Sequence, residues 1–228
     1  GIASQSVATA YAAQTGKFWA GYLLQDPTAG IGYFRLAAFS TATDTWGSEI
    51  SGGPECYLIQ GEATFFEVYQ FGIVVLANGL IRMVYNGITE NVNGVKYDRL
   101  YWKEYNPNTP GWTPSVGASL PGESGLERHF WLDGIVTDSN IVHVIHHSKD
   151  FIAAQADRQR RLHYCSITTG GSLSGLTTLA TDGGTLASAA SQYGTVPCIA
   201  GGKIFAGYES GGFTTNSRLS IFVGSPSN

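Results

Sequence analysis

A chain of 228 residues with 30 glycines, 12% aromatic residues and only 13% charged residues is long enough to bury a core without staples and too aromatic to stay disordered. Its net charge of -4 supplies no basic field for nucleic acid or an anionic membrane, and no window approaches the run of about 18 apolar residues that a membrane-spanning helix needs. Cys56, Cys165 and Cys198 are widely spaced, form no metal pattern and could close at most one disulfide, so neither a metal nor a cofactor is expected.

Gly1-Ile2-Ala3-Ser4 lacks both an initiator Met and a basic leader, as a processed or trimmed chain would. From there a pattern recurs. Gly16-Lys17-Phe18-Trp19-Ala20-Gly21-Tyr22 is matched at Gly79 to Tyr85, at Asn140 to His146 and at Gly202 to Tyr208, a period of about 62 residues, and fixed-period self-similarity outranks other sequence signals. Ahead of this B segment lies an A segment: Val7 to Ala10, Gly72 to Val75, Gly134 to Thr137 and Val196 to Ile199. Behind it lies C, opened by Arg35-Leu36, Arg99-Leu100, Arg161-Leu162 and Arg218-Leu219. A short D follows a turn and ends on Trp46 or Trp112; Leu173 stands there in the third repeat, and the fourth stops at Asn228 before any D.

The segments are short, rich in Val, Ile, Phe and Tyr, and bounded by Gly, Asn, Asp and Pro, which predicts strands. The B strands carry apolar residues on both faces. Phe18, Ile81, Val142 and Ile204 line one side, Trp19, Arg82, His143 and Phe205 the other, as in a strand buried between stacked sheets. Four-stranded antiparallel units that cannot bury their faces alone, repeated radially, make a propeller; a simple β-helix has a far shorter turn. The prediction is an all-β, β-propeller-type chain, a single domain over 1–228 with repeats near 5–66, 67–129, 130–191 and 192–228, the last blade lacking its own outer strand. An edge left open in this way invites another segment or subunit, so membership of an oligomer or larger assembly, or of a larger ring, is expected. Phe151 to Ala156 has the one helix-like composition.

The order of strand, Gly, apolar strand, Arg-Leu strand, Ser/Thr-rich turn and Trp-Gly resembles the bacterial neuraminidase repeats of sialidase-like propellers. Ser40-Thr41-Ala42-Thr43-Asp44-Thr45-Trp46 keeps the Ser and the Thr-Trp of that family's Asp-box but not its Asp and Gly positions, and Pro107 to Trp112 resembles a kelch-type turn. The resemblance implies a propeller over the whole chain. It also implies an arginine triad, a Tyr nucleophile with a Glu base and an Asp acid, and these are not found: Arg35, Arg99, Arg161 and Arg218 occupy one place in every repeat. An asymmetric substrate needs asymmetric ligands, so these arginines are expected to be structural. No Tyr–Glu pair is assignable from spacing, and no catalytic residue is assigned.

Other glycosidases need two facing carboxylates, for which Glu67, Glu90, Asp98, Glu104, Glu123, Glu127, Asp133 and Asp138 are available. His143, His146 and His147 lie on one B strand, with 143 and 147 on one face and 146 on the other. One metal cannot take all three, and aromatic packing with a hydrogen bond is expected instead. Trp102, Trp131 and Tyr105 are candidate sugar-stacking residues against the alternative of core packing. Arg82 and His143, polar on the strand side that Trp19 and Phe205 share, complete the candidate ligand-binding set. The expectation is a non-catalytic binding or structural propeller of an extracellular or virion-surface assembly, with carbohydrate or another protein subunit as partner. A propeller glycoside hydrolase is the alternative.

Overall fold

The computed structural model describes residues 4–26, 31–57, 71–92, 95–113, 116–118, 127–151, 160–174, 177–181, 197–210 and 218–224. The chain divides into two compact units, one of residues 1–87 and 101–116, the other of 88–100 and 117–228. Among the described residues all regular structure is strand. The helix-like stretch begins at Phe151 inside a strand, and its remainder lies outside them.

In unit 1 the first sheet is β1 (Ser4–Ala12), β2 (Lys17–Asp26), β3 (Ile31–Ser40) and β4 (Thr45–Trp46), with β5 (Ile50–Tyr57) also paired to β3. The second holds β6 (Phe71–Val75), β7 (Ile81–Val92), β8 (Val95–Asn106) and β9 (Gly111–Trp112), and β10 (Val116–Ala118) adds to β8; residues 88–100 of β7 and β8 belong to unit 2, where β8 also pairs with β11 (Glu127–Asp138). Unit 2 contains β11 (Glu127–Asp138), β12 (Ile141–Phe151), β13 (Arg160–Ile167) and β14 (Thr177–Thr181), then β15 (Cys198–Ala200), β16 (Lys203–Ser210) and β17 (Arg218–Gly224). Within each repeat the strands follow one another as an antiparallel meander, so the A, B and C segments of every repeat are strands, and one parallel pairing, Tyr97 opposite Arg128, links β8 to β11. The D elements shrink to two-residue strands at Trp46 and Trp112, and in the third repeat to a single bridge between Ile167 and Leu173, the residue standing where Trp would be.

The turns between A and B explain why the B motif opens on glycine. Gly16, Gly79 and Gly202 sit at φ 63, 84 and 68, where a Cβ is strained, and in the third repeat Ser139 takes φ 59 beside Asn140. The C–D turn that resembles an Asp-box holds Asp44 at φ 54. Thr41 Oγ1 donates to the Gly16 carbonyl at 2.7 Å, tying the turn to the A–B turn of the same sheet. The kelch-like turn is an Asx turn in which Asn106 Oδ1 accepts from the backbone N–H groups of Asn108 and Thr109 at 2.9 and 3.3 Å.

Directly opposed residues share a face, so the registers sort each sheet into two. In the first sheet Ala8, Ala10, Ala12, Trp19, Phe34 and Leu36 pack with Phe71, Ile73, Ile81, Met83, Tyr85 and Tyr105 of the second. Side chains are small on β1 and large on β2 and β3. That taper lets β1 lie against β6, and in unit 2 β11 likewise touches β15. Sheets that approach through their first strands are wedge-packed about an axis, as in a propeller. Where β2 nears β6, Gly21 is required: a Cβ there would stand 3.1 Å from both Ile73 Cγ2 and Phe71 Cε2.

The first B strand departs from expectation. Ile81, Val142 and Ile204 are fully buried, whereas Phe18, their equivalent, is 44% exposed.

Candidate functional site

The candidate ligand residues do not form one surface. In unit 1 Arg82, Trp102 and Tyr105 are all buried, with exposures of 1%, 3% and 5%. Tyr105 belongs to the face packed on the first sheet, where it meets Trp19 and Trp112 at ring distances of 6.0 and 5.3 Å. Trp102 is an odd number of residues away on the same strand and points to the opposite face. A stacking platform needs an open ring face, and neither residue offers one. Core packing accounts for both. Arg82 is held by Glu104, its Nε donating to Oε1 at 2.9 Å and its Nη2 to the same oxygen. Lys103 is also buried, its Nζ 4.4 Å from the centre of the Trp112 ring, a cation–π contact.

In unit 2 His143 is fully buried on β12, its Nδ1 2.8 Å from Tyr164 Oη, with the two rings nearly parallel. Its Nε2 meets no hydrogen-bond partner among the described residues. Burial holds the His143 pKa below the ordinary 6.5, against the opposite pull of Asp138. His143 therefore works as an aromatic with one hydrogen bond, as its place in the repeat suggests. His146 pairs in register with His163 and stacks on it at 5.2 Å, both rings buried. The registers put His143 with Ser166 and His146 with His163 on opposite faces, and no group of three or more metal-binding side chains gathers among the described residues. Cys165, on the His146 face, is buried and has its thiol pushed up to about 12 by that burial. Trp131 lies on β11 opposite His147; both side chains fall outside the described residues.

β11 carries a feature that spacing alone could not reveal. Its register with β12 passes from Leu132 opposite His146 to Gly134 opposite Ile145, leaving Asp133 as the extra residue of a β-bulge. A bulge re-aims a side chain relative to the pleat and recurs beside active sites. The Asp133 side chain is half-buried, with Oδ2 closed off from solvent. Of the other carboxylates proposed for a glycosidase, Glu104 is committed to Arg82, and Asp138 is exposed at the β11–β12 turn. The side chains of Glu67, Glu90, Asp98, Glu123 and Glu127 lie outside the described residues.

The structure also assembles a Tyr–Glu pair that sequence spacing did not assign. Tyr22, Arg35 and Ser51 are directly opposed across β2, β3 and β5. Tyr22 Oη donates to Glu49 Oε1, Arg35 Nη1 donates to Ser51 Oγ at 2.5 Å, and Arg35 Nε lies 3.9 Å from Glu49 Oε2. Burial first, then the bond to Glu49 and its charge, push the Tyr22 hydroxyl up to about 12. That is the reverse of what a Tyr nucleophile needs. Arg35 here joins three strands, the structural part expected of the repeated arginine; the side chains of Arg99, Arg161 and Arg218 lie outside the described residues.

No family model matches the chain, and no curated protein matches it in sequence. Solved structures do. The chain resembles B. megaterium levansucrase with a TM-score of 0.60 at 9% identity, covering 97% of this chain and 67% of that one. B. subtilis levansucrase in complex with oligosaccharides gives 0.60 at 11%, covering 98% and 68%. Penicillium chrysogenum alpha-L-arabinanase complexed with arabinobiose gives 0.56 at 11%, covering 96% and 62%. The chain thus spans about two thirds of the length of each. These are glycoside hydrolases of the five-bladed-propeller type, and the likeness is not to sialidases in particular. At such identities the likeness establishes fold: this is an all-β chain of the β-propeller type.

Proposed function

We propose that this chain is the propeller of a carbohydrate-active enzyme of the glycoside hydrolase type, with Asp133 supplying one of its carboxylates. One observation carries the reading: nearly the whole chain shares its fold with levansucrases and an arabinanase. Glycosidic cleavage requires two carboxyl groups flanking the bond, one protonating the leaving oxygen and the other acting as base or nucleophile. First strands of propeller sheets border the axis, and Asp133 is the described carboxylate that stands at a bulge on such a strand.

The test is incubation of the chain with levan, arabinan and arabinobiose, with products followed by chromatography and binding by calorimetry. Turnover that falls about a thousand-fold in Asp133→Asn, as loss of an acid–base group does, with binding and circular dichroism unchanged, is the expected result. A glycan-binding module without turnover is the second reading, favoured because Asp133 is the one such carboxylate among the described residues. It requires binding without product and an Asp133→Asn variant that binds equally. Absence of both binding and product overturns both readings.

A further inference from the structure

Asn78-Gly79 stands at the tip of the β6–β7 hairpin, and the same dipeptide recurs as Asn86-Gly87 and Asn93-Gly94. An asparagine side chain is most open to attack by its own main chain when the next residue has no Cβ to obstruct the approach. The copies stand in different surroundings. Val75 pairs with Ile81, Leu76 N–H donates to the Leu80 carbonyl at 2.8 Å, and Gly79 N–H donates to the Leu76 carbonyl at 2.9 Å. These bonds close a short loop from Ala77 to Gly79, with Gly79 left-handed at φ 84. Asn86-Gly87 instead lies inside β7, where the main chain is extended and hydrogen-bonded to β8. Asn93-Gly94 lies outside the described residues.

The loop prepares Asn78 for that attack. Its Oδ1 accepts from Leu80 N–H at 3.1 Å, which folds the carboxamide over the peptide that follows it, as in an Asx turn. The same N–H is directed at the oxygen on which negative charge develops when a nucleophile adds to Cγ, the part played by a donor in an oxyanion hole. Around Gly79 no atom stands within 4 Å of where a Cβ would lie, so the peptide can swing toward Cγ without a clash. The swing gives up one hydrogen bond, from Gly79 N–H to Leu76. Inside β7 the same rotation at Asn86 would break the ladder to β8.

We propose that Asn78-Gly79 is a self-modifying site, at which the Gly79 nitrogen attacks Asn78 Cγ and expels the side-chain amide as ammonia. Hydroxide or water takes the proton of the Gly79 N–H. The N–Cγ bond forms, the Cγ–Nδ2 bond breaks, and Nδ2 leaves with a proton returned to it from solvent. One water then opens the cyclic imide. Addition at Cγ leaves aspartate; addition at the main-chain carbonyl carbon of residue 78 leaves isoaspartate, in which the chain runs through Cβ and Cγ. Isoaspartate lengthens the backbone of a loop whose closure sets the register of Ile81 and Met83, both fully buried, so the modification acts on the core of unit 1. The site is complete within one hairpin and is independent of any glycan chemistry.

Peptide mapping by mass spectrometry, after storage of the whole folded chain at mildly alkaline pH, tests it, with isoaspartate read by an isoaspartyl methyltransferase. Conversion of Asn78 to a mixture of aspartate and isoaspartate is expected, at least about ten-fold faster than conversion of Asn86, because the strand must give up more hydrogen bonds. In urea, where neither loop nor strand remains, the two sites should convert at similar rates. Asn78→Asp keeps an oxygen for Leu80 N–H and should melt like the fresh wild type, whereas stored chain enriched in isoaspartate at position 78 should melt lower. A folded chain whose Asn78 stays intact while the unfolded chain reacts overturns the proposal, and so does conversion of Asn86 at the rate of Asn78. Equal melting of the stored chain and Asn78→Asp overturns the effect assigned to the lengthened main chain.

Discussion

His143 shows how much a single buried group decides. Burial depresses its pKa below 6.5, so below that pH the folded chain binds fewer protons at this site than the unfolded chain. Stability from this group is fully present above about 6.5 and is lost as pH falls toward the folded value. The urea midpoint should drop between pH 7 and pH 5, and His143→Phe, which installs the residue found at Phe205 in the last repeat, should flatten that dependence. An unaltered pH profile in the variant would assign the effect to other groups. Arg82 gives a second expectation. Its guanidinium is 1% exposed and its partner Glu104 20%, so Arg82→Ala leaves a carboxylate half-stranded and should cost about 3 kcal/mol in denaturant unfolding. Replacing both residues, as in Arg82→Met with Glu104→Leu, should restore most of that loss, because an apolar pair removes the desolvation penalty.

At the scale of the element, tight A–B turns and close sheet approach govern the tolerance to substitution. Gly79 has open space around its missing Cβ but a φ of 84, so Gly79→Ala should cost about 1 kcal/mol through backbone strain alone. Gly21 is the converse case, where the obstacle is space. Its Cβ would press Ile73 and Phe71 at 3.1 Å, and Gly21→Ala should cost about 1–3 kcal/mol as overpacking. Thermal melts of the two variants separate strain from crowding only with a further change: Ile73→Ala should relieve the Gly21→Ala variant and leave Gly79→Ala no better. The β-bulge at Asp133 belongs to this scale too, since it sets one carboxylate out of the pleat in an otherwise regular twelve-residue strand.

For the molecule as a whole, the proposed function links stability to ligand concentration. A sugar that binds the folded chain and not the unfolded one should raise the thermal midpoint by mass action. Calorimetric scans with arabinobiose across a hundred-fold range in concentration check this, and a midpoint that does not move would count against binding of that sugar.

The architecture was legible because it is written locally and repeatedly. Gly16, Gly79 and Gly202 announce left-handed turns, the B segments alternate in phase, and Leu173 keeps the place of a missing Trp; each of these depends on neighbours in sequence. The structural part expected of Arg35 and the aromatic role expected of His143 followed from comparing repeats. What the repeats could not convey was which faces find a cover. Phe18 and Ile81 look equivalent in the chain, yet one is exposed and the other buried, because burial depends on whether another sheet lies above. Trp102 and Tyr105 were each candidates for stacking on a sugar, and packing buries both, on opposite faces of one strand. Asp133 was one of eight candidate carboxylates; a one-residue register slip between β11 and β12, visible only once both strands are paired, set it apart. Periodicity determines which residues become strands and turns. Register and the stacking of sheets, which join residues far apart in sequence, decide which side chains are left to act.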